Sequence, residues 1–433
     1  MYFLGIDFGT SGARSCVIDA EGTAIAEDQR DFGTLEDYER ADIWREALWD
    51  LIAALPPAIR SQLSAIALDG TSGTVLACDA ELAPRHPPLL YNDDRAVDEA
   101  RLIATIAPPG HPAAAVTSGL AKVLWLKKWL GHTGARLYLN QADWLSGLLT
   151  EQVGFSDYHN ALKMGLDLDT LTWPAWVDHL ADTAYLPTPV SPGAFLATVS
   201  RPRARYLGVN PGCRVHAGTT DSIAAFLAAG VTQSGDAVTS LGSTLVLKLL
   251  TDTRVESTER GVYSHWFGTR WLAGGASNAG GAVLRQFFDD RQLAALSATI
   301  NPAIASPLDY LPLPRPGERF PINDPTLAPR LTPRPADDVE FLHGLLESLA
   351  RIEARGYGLL VELGATPLRR VETAGGGARN EAWTKIRQRL LRVPVQRATH
   401  TEAAYGAALL ARDGQQRFAS TPSGIPSPTT KVV

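Results

Sequence analysis

Two short stretches of this chain carry residue types that could grip a phosphate group. Asp7-Phe8-Gly9-Thr10-Ser11-Gly12 lies between an apolar β-type run at 2–6 and a second strand-like run at 13–19. In a hairpin turn of that composition the glycines let backbone N–H groups approach an anion, and the Thr10 and Ser11 hydroxyls add donors. Asp7 would stand at the strand end, where a carboxylate can hold Mg2+ through water. The same residues also make ordinary hairpin turns, so this segment alone leaves both readings open. The theme recurs at Leu241-Gly242-Ser243-Thr244, between runs at 237–240 and 245–250, this time without an acid. One acidic and one neutral turn is what a single Mg-ATP gripped from two halves would need. Gly375-Gly376-Gly377, ahead of a helical run at 380–391, would let a nucleotide lie flat against backbone, or would simply join strand to helix tightly.

Asp221 is the sharpest single candidate. It follows Gly218-Thr219-Thr220 at the mouth of a helical run at 222–229. A carboxylate there could take the proton from a hydroxyl as it attacks phosphorus. The competing reading is a helix N-cap, worth about 0.5–2 kcal/mol. No Gly precedes a Lys, no GxGxxG opens a helix after a strand, and no protein-kinase catalytic loop is present. An ATP site here must be of another kind.

The elements that would position these residues fall into two similar sets. Trp44, Leu48, Leu51 and Leu55 recur at helical spacing after Asp42, and Pro56-Pro57 ends that run. A buried strand at 64–68 leads into Asp69-Gly70-Thr71-Ser72-Gly73 and a further strand at 75–78, while 120–130 and 143–149 are helical in pattern. Each half opens with a hairpin whose turn is rich in Gly, Ser and Thr, and closes with strand, Gly turn and helix. The expected fold is α/β in two domains. The boundary near 230 divides the chain into residues 1–230 and 231–433. The Pro-rich stretch 306–335 is expected to form a long loop, and the tail from Thr421 to be mobile.

Bulk properties bound the function. A chain of 433 residues exceeds one typical core. Hydrophobic residues at 45% and charged residues at 20% describe a soluble globular protein. A net charge of -6 without a Lys/Arg block gives no reason to expect nucleic acid. Cys16, Cys78 and Cys213 are odd in number and far apart, against a disulfide scaffold or zinc site. No apolar run reaches membrane-spanning length and no basic leader precedes Asp7, so a cytoplasmic location is expected.

Taken in order, several segments resemble the landmarks of the FGGY family of carbohydrate kinases. They are Gly5-Ile6-Asp7-Phe8-Gly9-Thr10-Ser11, Asn92-Asp93-Asp94-Arg95, Ser156-Asp157 with Asn160-Ala161, and Ala217-Gly218-Thr219-Thr220-Asp221. Gly317-Glu318-Arg319 with Pro321, Gly375-Gly376-Gly377-Ala378 and Glu402-Ala403-Ala404-Tyr405-Gly406-Ala407-Ala408 complete the set. The resemblance implies two ribonuclease-H-like, actin-like ATPase domains with a central cleft, residues 1–230 carrying the sugar site and base and 231–433 the nucleotide, with 402–415 able to pack back onto the first, and ATP with Mg2+ as reactants. It makes Asp221 the general base and places Asp7 at Mg2+ and the γ-phosphate, with both acids as metal-site residues. Thr10, Ser11 and Gly12 would contact phosphates from the first domain, and Gly242, Ser243 and Thr244 from the second. Gly281, Gly376, Gly377 and Asn380 would line the nucleotide pocket, and Trp383 would either stack on adenine or pack its helix. Asp7, Ser72, Asp94 and Asp221 fall on the sugar side. Asp94 and its neighbour Arg95 also suit an exposed loop.

One departure bears on the sugar. Xylulose kinases carry a Gln-Met-His-Gly turn where this chain has Thr71-Ser72-Gly73-Thr74, so a small Ser72 stands in the region of a sugar-facing His. The opening Phe8-Gly9-Thr10-Ser11-Gly12-Ala13-Arg14 and the short length look like the ribulose-kinase branch of cyanobacteria and plants. The expectation is a pentulose kinase with D-ribulose favoured, and D-xylulose or another ketose or polyol as the alternative. A non-sugar actin-like ATPase and a catalytically silent sugar sensor are the alternatives of another class; retention of both Asp7 and Asp221 argues against the silent form. Expected partners are the sugar and ATP, with no nucleic acid or membrane, in a monomer or homodimer.

Overall fold

The computed structural model describes residues 1–416 apart from 35, 132–134, 136, 153 and 415, so the tail from Thr421 lies outside the described residues. The chain divides into two compact units. The first runs from Met1 to Ala228 and is joined by the segment from Glu402; the second is Ala229–Thr401.

Strand β1 (Tyr2–Phe8) is buried on both faces over most of its length, which is why its sequence is an almost unbroken apolar run. It turns back through Gly9, whose N–H donates to the Gly12 carbonyl at 3.0 Å, into β2 (Gly12–Ile18). β3 (Ala24–Asp31) extends this meander. β4 (Leu63–Gly70), β5 (Phe195–Thr198) and β6 (Arg214–Thr220) complete a six-stranded sheet in the order β3-β2-β1-β4-β6-β5. β4 runs parallel to β1 and β6 parallel to β4. The helix Arg40–Ala54 buries Trp44, Leu48 and Leu51 against this sheet's core. It stops before Leu55, which is extended because the residue ahead of a proline disfavours the α region.

The segment Ala403–Asp413 is a helix that packs on β1 and on the helix Asp221–Ala228. Glycine makes both contacts possible. A Cβ on Gly5 would fall 2.0 Å from the Ala404 carbonyl oxygen, and one on Gly406 would fall 1.8 Å from that of Ala224.

The second unit repeats the frame. β7 (Asp236–Leu241) and β8 (Leu245–Thr251) form its hairpin, followed by β9 (Tyr263–Phe267), β10 (Arg270–Ser277), β11 (Arg370–Ala374) and β12 (Val395–Arg397). The order is β9-β10-β8-β7-β11-β12, with β11 parallel to β7 and β12 parallel to β11. Beneath it the long helix Asp338–Glu362 supplies Glu353, which Arg387 grips with two bonds of 2.6 and 2.7 Å in a fully buried pair. Thr239 and Thr373 close that network at 2.6 and 2.8 Å. The stretch 306–335 contains no named helix or strand, yet Tyr310, Leu313 and Phe320 are buried in the unit's core. Glu318 ties it to the end of β10 by accepting from the Ser277 hydroxyl at 2.6 Å.

Candidate active site

In the first unit the parallel strands β1, β4 and β6 finish side by side, so their last residues meet. Asp7 lies opposite Asp69, Asp69 opposite Thr219, and Asp221 begins the next helix directly after Thr220. The carboxyl ends of parallel strands are where open α/β sheets hold ligands. Gly218 permits the close approach of β6 to β4: a Cβ there would fall 1.5 Å from the Leu68 carbonyl oxygen.

The acids are not electrostatically equal. Asp69 is wholly buried, and neither of its oxygens, nor Oδ1 of Asp7, meets a protein donor among the described residues. Burial raises Asp7; contact with Asp69 lowers it, and the charge of Asp221 raises it again. Burial, then the charge of Asp7, pushes Asp69 well above the usual carboxylate range. Burial and the neighbouring carboxyl thus disfavour the charged form more strongly at Asp69 than at Asp7. Asp221 is half-buried and its Oδ1 accepts from the Ser222 N–H at 2.6 Å.

The Ser156-Asp157/Asn160 landmark supports this corner from behind. Asp157 accepts from the N–H groups of His159 and Asn160 and from the Asn160 side chain at 2.7 Å, and His159 Nδ1 pairs with the Thr219 hydroxyl at 2.7 Å. Burial pushes Asp157 up to about 6. Ser72 is half-buried in a turn closed by Thr74 N–H to Thr71 carbonyl at 3.2 Å, with Gly73 at a φ of +87° that favours glycine. The Lys163 ammonium donates to the Ser72 carbonyl at 3.1 Å. Asp94 is exposed, and Arg95 is held by Asp93 at 2.8 Å and lies over the Trp125 ring, so both match the exposed-loop alternative more closely than a built pocket. Thr10 and Ser11 are exposed at the hairpin tip, while Gly12 is needed for packing, since its Cβ would fall 2.7 Å from the Arg30 carbonyl oxygen.

The second unit contains a cavity of about 620 Å³ lined by Gly242, Ser243, Gly281, Gly376, Gly377, Asn380 and Trp383 among others. Thr244, next in the same turn, is not part of its lining. The turn is fixed by the N–H groups of Gly281 and Ala282, which donate to the carbonyls of Gly242 and Ser243 at 2.9 and 3.1 Å. Gly375 takes a φ of +83°, and its Cβ would fall 2.7 Å from the Leu241 carbonyl oxygen. A Cβ on Gly376 would meet nothing, so this glycine leaves room for a ligand. Asn380 caps the helix Glu381–Leu391 through the Trp383 N–H at 3.0 Å. Trp383 lines the same cavity while only 3% exposed, and a Cβ on Gly377 would fall 2.7 Å from its Cζ3.

Asp69 and Lys163 are the residues that sequence reasoning did not single out. Asp69, like Asp7, is an acid ending a buried strand run, and that signal was readable. Nothing in the sequence spacing announces that Lys163 reaches Ser72. Among the described residues no group of three or more His, Cys, Asp or Glu side chains could hold a metal unaided. Mg2+ does not require one, because it takes one or two carboxylates and completes its shell with water and phosphate oxygens. The unpartnered oxygen of Asp7 is a donor of that kind.

Comparison with known proteins agrees with this geometry. The N-terminal domain of the FGGY family of carbohydrate kinases matches residues 2–228 and its C-terminal domain residues 237–412. A xylulose kinase of Staphylococcus xylosus is 23% identical, with 96% of this chain and 92% of that protein aligned. A gluconokinase of Bacillus licheniformis is 23% identical over 89% of this chain and 82% of its own length. In fold, the crystal structure of a xyloylose kinase from Brucella ovis superposes with a TM-score of 0.84 at 22% identity, covering 96% of this chain and 92% of that one. A xylulose kinase from Rhodospirillum rubrum gives 0.79 at 22% identity, covering 95% and 89%. The two matched domains, the repeated sheet and the acids at its parallel strand ends lead to one assignment: the chain belongs to the FGGY family of carbohydrate kinases and is an ATP-using carbohydrate kinase of the two-domain, actin-like fold.

Proposed function

We propose that this kinase phosphorylates a ketopentose, D-ribulose by preference, at a primary hydroxyl, with Asp221 as the general base. The observation that carries the reading is the meeting of Asp7, Asp69 and Asp221 at the ends of three neighbouring strands. A small, half-buried Ser72 on the expected sugar side suits a small neutral ketose.

The chain's residues divide the work. Asp221 accepts the proton of the attacking hydroxyl, and its half-buried place keeps bulk water from competing. Asp7 is the carboxylate that would hold the metal, with the wholly buried Asp69 opposite it on the next strand. Mg2+, when bound with ATP, neutralises charge on the transferring phosphoryl group. The second unit's glycine-lined cavity receives the nucleotide, with Gly376 leaving space and Gly242 and Ser243 offering a phosphate-side turn. Positioning supplies most of the rate in such a reaction.

D-xylulose is the second reading, favoured by the names of the relatives from Staphylococcus xylosus and Rhodospirillum rubrum. A coupled ADP-release assay with Mg-ATP against D-ribulose, D-xylulose, L-ribulose, L-xylulose, gluconate and glycerol, with a no-sugar control, decides between them. Strong stimulation by D-ribulose above all others is expected. Preference for D-xylulose or gluconate would move the substrate, and equal hydrolysis in every well would remove the ketose reading.

A further inference from the structure

The turn that bears Ser72 is held from outside by two ammonium groups acting on consecutive carbonyls. Lys163 donates to the Ser72 carbonyl at 3.1 Å, and Lys122 donates to the Gly73 carbonyl at 2.7 Å. The two hold it differently. Lys122 is fully buried in the helix Gly119–Leu130 and spends its remaining donors on the carbonyls of Leu90 and Thr117, at 2.6 and 3.0 Å. It therefore ties together the turn, the segment ahead of Asn92, and the chain entering its own helix. All three of its N–H donors are used on backbone, so its work is complete within the fold.

Lys163 is only partly buried, and an ammonium has three donors, of which the bond to the Ser72 carbonyl uses one. It ends the short helix Tyr158–Leu162 that Asp157 caps, so its backbone is anchored by the network that also supports Thr219. Its own carbonyl accepts from the Leu120 N–H at 3.0 Å, which fixes where the side chain starts. Its stem lies along Gly73, where a Cβ would come within 3.3 Å of Lys163 Cδ. The parallel register sets Gly70, two residues before Ser72, opposite Thr220, the residue before Asp221. One side chain thus holds the turn carrying Ser72 next to the strand end that leads into Asp221.

We propose that Lys163 is a positioning residue for the acceptor sugar, holding the Ser72 turn in place beside the strand end that leads into Asp221. This rests on the kinase reading above, with Asp221 as base. A ketose held at both places is then measured along its length, so loss of Lys163 should loosen sugar binding and misalign the hydroxyl while nucleotide handling is untouched. Lys122 carries the static part of the same task.

The test compares wild type with Lys163→Met, Lys163→Arg and Lys163→Gln. It measures kcat, KM for the preferred sugar, KM for ATP, melting temperature, and hydrogen exchange of the peptide spanning 71–74. For Lys163→Met the expected result is a rise of roughly tenfold in sugar KM. A fall in kcat, an ATP KM within about twofold of wild type, and faster exchange at 71–74 should accompany it. Arg, which keeps the charge and a donor, should recover part of the sugar KM; Gln, which keeps only the donor, should recover less. Wild-type sugar kinetics in Lys163→Met, or sugar and ATP KM rising together with unchanged exchange at 71–74, would overturn the proposal. A wild-type enzyme silent toward every sugar would remove the kinase-substrate reading instead. In that case unchanged exchange at 71–74 in Lys163→Met would remove the anchoring as well, and faster exchange would sustain it.

Discussion

Asp7 and Ser240 occupy the same place in their respective units. Each is the penultimate residue of the first strand, each precedes a glycine-bearing hairpin turn by two residues, and each lies opposite a parallel neighbour, Asp69 for one and Ala374 for the other. The frame is shared but its chemistry is not. In the first unit the pair is two carboxyls with unpartnered buried oxygens; in the second it is a hydroxyl beside a methyl. Buried carboxylates do occur in the second unit, but arginines face them: Glu353 meets Arg387 and Thr239, Asp236 faces Arg369 and Arg370, and Glu347 faces Arg351 and Arg389. Unsatisfied buried polar atoms are costly and persist where function requires them, whereas satisfied ones belong to the scaffold. Under the proposed function, the contrast separates the half that would handle metal and proton from the half that would accept an anion without repelling it.

The strongest way to break this division is Asp221→Ala. It should lower sugar-dependent kcat by about 10²–10⁴-fold, with KM for ATP nearly unchanged, as read by steady-state ADP release. Comparable loss of ATP affinity would mean that Asp221 is not confined to the acceptor half. Next in size is Arg387→Met, which leaves Glu353 buried without its partner and should cost about 3–5 kcal/mol of stability. Denaturant unfolding would measure it, and a near-silent result would show that the second unit's buried charge is not a structural pair. Ser240→Asp writes the first unit's acid into the second. Repulsion of the nucleotide phosphates should raise KM for ATP roughly tenfold, about 1.4 kcal/mol, with sugar KM preserved; an unchanged ATP KM would dissolve the contrast between the turns.

The smallest effect concerns pH. Burial raises the Asp143 carboxyl to about 8, while donors from Asn140 and Ser156 pull it down. A folded-state value above the unfolded one means that the stabilising, protonated form is complete at low pH and is lost as pH rises through about 8. Melting temperature should therefore decline by a few degrees between mildly acidic and mildly alkaline pH. In Asp143→Asn that decline should flatten. An identical slope in both proteins would show that Asp143 does not titrate in this window.

Much of the frame was legible because it is written in local terms. β1 is an apolar run stopped by a Gly-Thr-Ser turn, and the helix Glu381–Leu391 follows a triple glycine behind an Asn cap. Seven of the residues expected at the nucleotide line one cavity. Lateral neighbours were harder to read. Asp69 stands 62 residues from Asp7, and only the parallel register of β1 and β4 brings the two acids together. Lys163 reaches the Ser72 turn from a different supersecondary unit, 91 residues away in sequence. Trp383 illustrates the opposite limit: its helical position was readable, but not that Gly377 would lie against its ring.

The helix Ala403–Asp413 gives the molecule an order of assembly. It presses on β1 at Gly5 and on the Asp221 helix at Gly406, but the ribosome delivers it only after all of 229–401 has been made. The first unit, begun first, is thus finished last, and a nascent chain arrested anywhere before residue 402 would present a bare face of β1 and an unsupported Asp221 helix. Translation speed through the second unit therefore sets how long that face is exposed. A circular permutant beginning near residue 402 would shorten the interval, which makes biosynthetic yield, more than enzyme assay, sensitive to this piece of chain.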